Sequence, residues 1–212
     1  MTTLRRTSIQ CYKLRGIESS DVGRKKTNIY WHCVISFIRK TILLCDACTG
    51  LLLGVGNPLL DISAEVGQDM LDKYDVKLDA AILAEEKHLP VYDDLVKNYS
   101  AGFIAGGATQ NSIRIAQWML KEDNDAATAF MGCVGNDEYG KTLEQCASAD
   151  GVLTHYMVDE STPTGTCAVL VKGGERSLIA NLAAANNFNK SHLETAQSKA
   201  IYEAAKFYYI AG

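Results

Sequence analysis

The sequence predicts an α/β domain: a mainly parallel sheet flanked by helices, with a smaller β layer over one end. Apolar strand-like runs alternate with helical stripes of about 12 residues, and such alternation builds right-handed crossovers. Four short runs, 62–66, 81–84, 165–171 and 177–182, fit that alternation poorly and are expected to form the second layer. Two of them, 165–171 and 177–182, are joined through Lys172-Gly173-Gly174-Glu175, a hairpin signal.

The elements follow in order from residue 51. Leu51-Leu52-Leu53-Gly54-Val55-Gly56 is a short apolar run ending in glycine, the pattern of a buried strand, and Asn57-Pro58 breaks it. Residues 86–97 read as a helix with Pro90 in its first turn. Residues 103–105 give a strand stub before Gly106-Gly107. Residues 109–120 read as a helix, with Ile113, Ala116 and Leu120 on one stripe. Strands are expected at 126–134, 152–158 and 207–211, and helices at 138–149 and 192–204.

The 212 residues are 47% hydrophobic and 22% charged, ordinary for a globular chain. No run of 18 apolar residues is present, which excludes a confident membrane span. The net charge of -4 gives no reason to expect nucleic acid as a partner. Residues 1–45 carry nine Lys/Arg against two acids, whereas the rest carries twelve against twenty-three. A step of this kind divides the chain into a non-globular or unrelated leader, 1–50, and an organised part, 51–212. A transit-peptide role for the leader stays open. Cys45 and Cys48 with His32 and Cys33 have the residue types of a zinc site, but adjacent His32 and Cys33 suit one tetrahedral centre badly. The seven cysteines lack disulfide-framework spacing, so free thiols, a reducing compartment and no metal site are expected. A strand running up to Gly212 suggests that the chain is truncated.

Three places could carry chemistry. Asn57 and Asp61 lie just past a strand end, where open α/β sheets bind ligands. A carboxylate accepts two hydrogen bonds side by side, which suits a sugar diol, although the same residues also shape turns. Gly106-Gly107 between strand and helix lets a ligand approach the backbone, and Asn111 follows one turn later. Arg176 at the hairpin entrance could clamp a phosphate or simply be solvated. Cys167 sits in an alternating strand and reads as packing rather than as a nucleophile.

Taken together, 53–63, 81–85, 105–120, 163–167 and 176–186 resemble the N-terminal half of the adenosine kinases, in the plant-type form, within the ribokinase-like carbohydrate and nucleoside kinases. That resemblance implies a partial ribokinase-like fold with a β lid, and ATP- and Mg2+-dependent phosphorylation of the adenosine 5′-hydroxyl to AMP. It implies that Asp61 holds the ribose hydroxyls, with Asn57, Gly106, Gly107 and Asn111 completing those contacts. Leu59, Leu83, Cys167, Leu178, Ala180 and Leu182 would form the adenine slot, and Arg176 would reach toward the transferred phosphate. The family's Gly-Ala-Gly-Asp segment with its aspartate base does not occur in these residues, so no catalytic base is expected here and most of the ATP site is absent. A catalytically dead adenosine-binding or kinase-pairing remnant is the alternative, as is a product too incomplete to fold; a sugar kinase is a further rival. The family implies a monomer in the cytoplasm, with the nucleus as a second location.

Overall fold

A computed structural model describes residues 51–120 and 127–211. The leader at 1–50 and its cysteines, including the zinc option, lie outside the described residues, as do Ala126 at the start of one expected strand and Gly212. The strands are β1 (Leu51–Val55), β2 (Leu59–Glu65), β3 (Ala81–Leu83), β4 (Gly102–Gly106), β5 (Thr128–Met131), β6 (Cys133–Gly135), β7 (Leu153–Thr154), β8 (Met157–Asp159), β9 (Thr166–Lys172), β10 (Glu175–Asn181) and β11 (Ala205–Ile210). The α-helices are α1 (Gln68–Lys73), α2 (Pro90–Asn98), α3 (Ala108–Leu120), α4 (Glu138–Ala149), α5 (Lys190–Leu193) and α6 (Ala196–Ala204).

Two principal sheets result. One runs β11-β1-β5-β7 and is parallel throughout. The other runs β3-β10-β9-β2-β4 and is mixed. A parallel pair, β6-β8, continues β5 and β7. The expected second layer is therefore present, and with five strands it is wider than the four-stranded parallel sheet. β4, assigned by sequence to the main alternation, belongs to this second sheet.

Side-chain alternation decides what each face of the second sheet meets. Ile62, Ala64, Ala168, Leu170 and Ile179 point to one face and bury against Met70, Leu71, Val91, Tyr92 and Leu95 of α1 and α2. The Tyr92 hydroxyl donates to the Ile179 carbonyl at 3.0 Å inside this core. Removing it with Tyr92→Phe should cost about 1 kcal/mol, read as a lower urea midpoint at unchanged slope. In the parallel sheet, Ile113 and Ala116 of α3 pack on Leu52 and Phe130 from one side. Ile201 of α6 packs on Leu53 and Met131 from the other.

Several boundaries differ from the sequence reading. The helix expected over 86–97 is a 3-10 turn, Glu86–His88, followed by α2 with Pro90 in its first turn. The expected helix 192–204 is divided between α5 and α6, because the Thr195 side chain accepts from Ser198 N and starts a new helix. The single strands expected at 126–134 and 152–158 are each split where pairing passes from β5-β7 to β6-β8.

Candidate functional site

The site begins where the chain leaves the parallel sheet. β1 ends at Val55, and Gly56-Asn57-Pro58 carries it into β2 of the second sheet. Register then places Ile104, Asp61, Cys167, Ala180 and Leu83 in one row across β4, β2, β9, β10 and β3. This row points away from α1 and α2, since its neighbours Ile62, Ala168 and Ile179 face those helices. A cleft of about 400 Å³ lies along it, lined by Leu59, Asp61, Ala81, Ile82, Leu83, Gly107, Ala108, Asn111, Cys167, Leu178 and Ala180.

The glycine pair is dictated by crowding. A Cβ on Gly106 would lie 2.1 Å from Asp61 Oδ1 and 2.2 Å from its Cγ. A Cβ on Gly107 would lie 2.3 Å from the Asn57 carbonyl oxygen, and its φ of +93° disfavours side chains anyway. The backbone leading into α3 is held from the helix itself. Gln110 Nε2 donates to the Gly106 carbonyl at 3.0 Å, and the Tyr156 hydroxyl donates to Gln110 Oε1 at 2.5 Å. Asn111 N donates to the Gly107 carbonyl at 2.8 Å. Arg114 Nη1 donates to the Ala105 carbonyl and, at 2.9 Å, to Asn111 Oδ1.

Burial pushes the Asp61 carboxyl up to about 6, against the pull of the nearby positive charges of Arg114 and Arg176. Burial, together with the neighbouring Asp61 charge, pushes the Cys167 thiol up to about 12. Cys167 is thus a protonated apolar wall and not a nucleophile. The arrangement can accept hydrogen bonds from a diol at one end and pack an apolar ring at the other.

Eight residues singled out from sequence line this one cleft: Leu59, Asp61, Leu83, Gly107, Asn111, Cys167, Leu178 and Ala180. Gly106 lies directly against the Asp61 carboxylate. Three others stand outside the lining. The Asn57 side chain donates to Asn186 Oδ1 at 3.4 Å, and its carbonyl abuts Gly107. Leu182 is not in the lining but is partly buried against the cluster of Leu59, Cys167, Val169 and Ala185, which shares residues with the cleft wall. Arg176 is exposed on the strand face shared with Leu178 and Ala180. Sequence reasoning missed Ala81, Ile82 and Ala108 in the lining, and Gln110, Arg114 and Tyr156 behind it. Ala108 alone had a local signal, as the residue directly after the glycine pair.

Residues 68–212 match the family model described as pfkB family carbohydrate kinase. The chain is 59% identical over 163 residues to adenosine kinase 1 of Arabidopsis thaliana, covering 77% of this chain and 47% of that protein. The chain thus spans about half the length of the curated relatives it matches. Among solved structures, it is similar to Anopheles gambiae adenosine kinase in complex with a di(adenosine-5) tetraphosphate, with a TM-score of 0.69 and 52% identity over 75% of this chain and 47% of that one. Adenosine kinase from Schistosoma mansoni, in complex with adenosine in an occluded loop conformation, gives a TM-score of 0.67 at 36% identity, covering 75% of this chain and 46% of that one.

Proposed function

The chain belongs to the pfkB family of carbohydrate kinases, and from that membership we propose that residues 51–212 form the nucleoside-binding half of an adenosine kinase. The overall reaction is transfer of the terminal phosphoryl group of ATP to the adenosine 5′-hydroxyl: the 5′-oxygen–phosphorus bond forms to give AMP, the β–γ phosphoanhydride bond breaks, ADP leaves, and the hydroxyl proton is released. In this reading Asp61 accepts hydrogen bonds from the ribose 2′- and 3′-hydroxyls, while Gly107 and Asn111 flank the sugar. The base lies against Leu83, Leu178, Ala180 and Cys167. Arg176, Asn57 and Leu182 would join when the second sheet moves toward the ligand, a step that also excludes water from the acceptor hydroxyl.

The observation that carries the reading is the convergence of a half-buried carboxylate and a glycine pair at one end of an apolar cleft. The relatives named above are adenosine kinases, which favours a nucleoside over a simple sugar. ATP and Mg2+ belong to the same proposal as co-substrate and metal. Among the described residues no group of three or more His, Cys, Asp or Glu side chains is placed to hold a metal ion. Among them, too, no helix is long and apolar enough to cross a membrane. A cytoplasmic monomer whose first 50 residues form a separate leader completes the proposal.

Calorimetry on the full chain tests it. Adenosine should bind, and 2′-deoxyadenosine should bind about tenfold or more weakly, because one donor to Asp61 is gone. Equal affinities, or no heat with adenosine, would defeat the reading. The affinity should also depend on pH. Asp61 accepts from the diol as a carboxylate, and its proton, held with a pKa of about 6, takes away one acceptor. Adenosine affinity should be flat above about pH 7 and fall as pH drops through about 6.

A further inference from the structure

Asn111 is the cleft residue whose side chain has two chemically opposite ends, and only one of them suits a hydroxyl oxygen as acceptor. Its neighbour one turn along α3, Arg114, decides which end is which. An arginine carries donors only, so the group that meets Arg114 Nη1 at 2.9 Å must be the amide oxygen Oδ1. That leaves the two Nδ2 protons unused by the Arg114 contact, on a residue that lines the cleft. Arg114 is itself fixed at two further points. Its Nη1 also donates to the Ala105 carbonyl, at the strand end before the glycine pair. Its Nε donates to Asp150 Oδ2 at 2.5 Å, from a carboxylate that is 42% exposed beyond α4.

We propose that Arg114 is a positioning residue of the nucleoside cleft: anchored by Asp150, it locks the Asn111 side-chain amide with its NH2 group presented to the ligand. The inference rests on the nucleoside reading for the identity of that ligand, but the lock itself is a property of the free chain. Three acceptors in different directions, on Ala105, Asn111 and Asp150, match the planar fork of a guanidinium and not the point charge of an ammonium. Arg114→Lys therefore keeps the charge and loses the lock. Asp150→Asn loosens the same lock from outside the cleft, without touching Asn111.

The ligand-free arm is NMR relaxation of the Asn111 side-chain amide in the full chain. It should be as ordered as the backbone of α3 in the unaltered protein, clearly more mobile in R114K, and intermediate in D150N, with the backbone spectrum otherwise preserved. The binding arm is a double-mutant cycle with adenosine. R114K should weaken binding about tenfold in the unaltered background and have little further effect alongside Asn111→Ala, since both changes act on one hydrogen bond. An Asn111 amide equally ordered in R114K and D150N, or additive losses in the cycle, would overturn the positioning role. Should R114K fail to fold, D150N alone decides the ligand-free arm. Failure of the unaltered chain to bind adenosine would defeat the nucleoside reading and leave the relaxation result to decide the lock.

Discussion

Asp61→Asn should abolish most adenosine binding and at the same time make the free protein more stable. The binding loss is expected at about a hundredfold, because a neutral amide offers one acceptor where the carboxylate offers a charged pair of them. The gain in stability comes from the same burial that raises the Asp61 carboxyl to about 6. At about pH 8 the folded protein holds a poorly solvated charge that the unfolded chain hydrates freely, and the asparagine removes that cost, giving about 1–2 kcal/mol. The sign reverses nothing but fades with acid. Below a pH of about 6 the native carboxyl takes up its proton, and by about 4 the unfolded one does too, so the advantage of the variant should shrink across that window. Urea titrations at both ends of it would show this. A variant less stable than the parent at about pH 8 would mean that Asp61 is held by favourable contacts rather than kept against its solvation preference.

The second large effect separates the two adjacent glycines. Gly107→Ala should destabilise the fold by about 3 kcal/mol, since its φ of +93° is wrong for a side chain and the atom met at 2.3 Å is backbone, the Asn57 carbonyl. Gly106→Ala should do something different. All three atoms nearest its new Cβ belong to the Asp61 carboxylate. The methyl group must therefore displace that side chain, costing adenosine affinity about thirtyfold while the fold survives. In an Asp61→Ala background the clash has no partner, and Gly106→Ala should be close to neutral for stability. Melting curves of the four chains in this cycle test the argument; a Gly106→Ala penalty that persists without the carboxylate would refute it.

Much of this architecture was legible because long elements leave a periodic trace. The stripe of Ile113, Ala116 and Leu120 named α3, and the glycine-bearing turn named the β9–β10 hairpin. α1 went unseen because Gln68–Lys73 makes less than two turns and buries only Met70 and Leu71, too little for a period to register. The cleft was legible where local chemistry announced itself, as with Asp61 and Gly106-Gly107. It was silent where partners are distant in sequence. Arg114 meets Asp150 36 positions away, and Gln110 meets Tyr156 46 positions away, and no local pattern marks either pair. Arg176 illustrates the converse: its residue type suggested a phosphate clamp, but the side chain is exposed near the hairpin turn and stands outside the cleft lining.

The row formed by Asp61, Cys167, Ala180 and Leu83 has a further consequence. Each of these side chains owes the face it occupies to odd-or-even counting along a ladder. Point substitutions can therefore repaint the wall one tile at a time. A single inserted or deleted residue that shifts β9 against β2 would instead exchange the whole β9 panel, turning Cys167 toward the helices and Ala168 toward the cleft. Lineages that retune what this cleft accepts should do so by replacement, while keeping the length of the 160–165 approach to β9 unchanged.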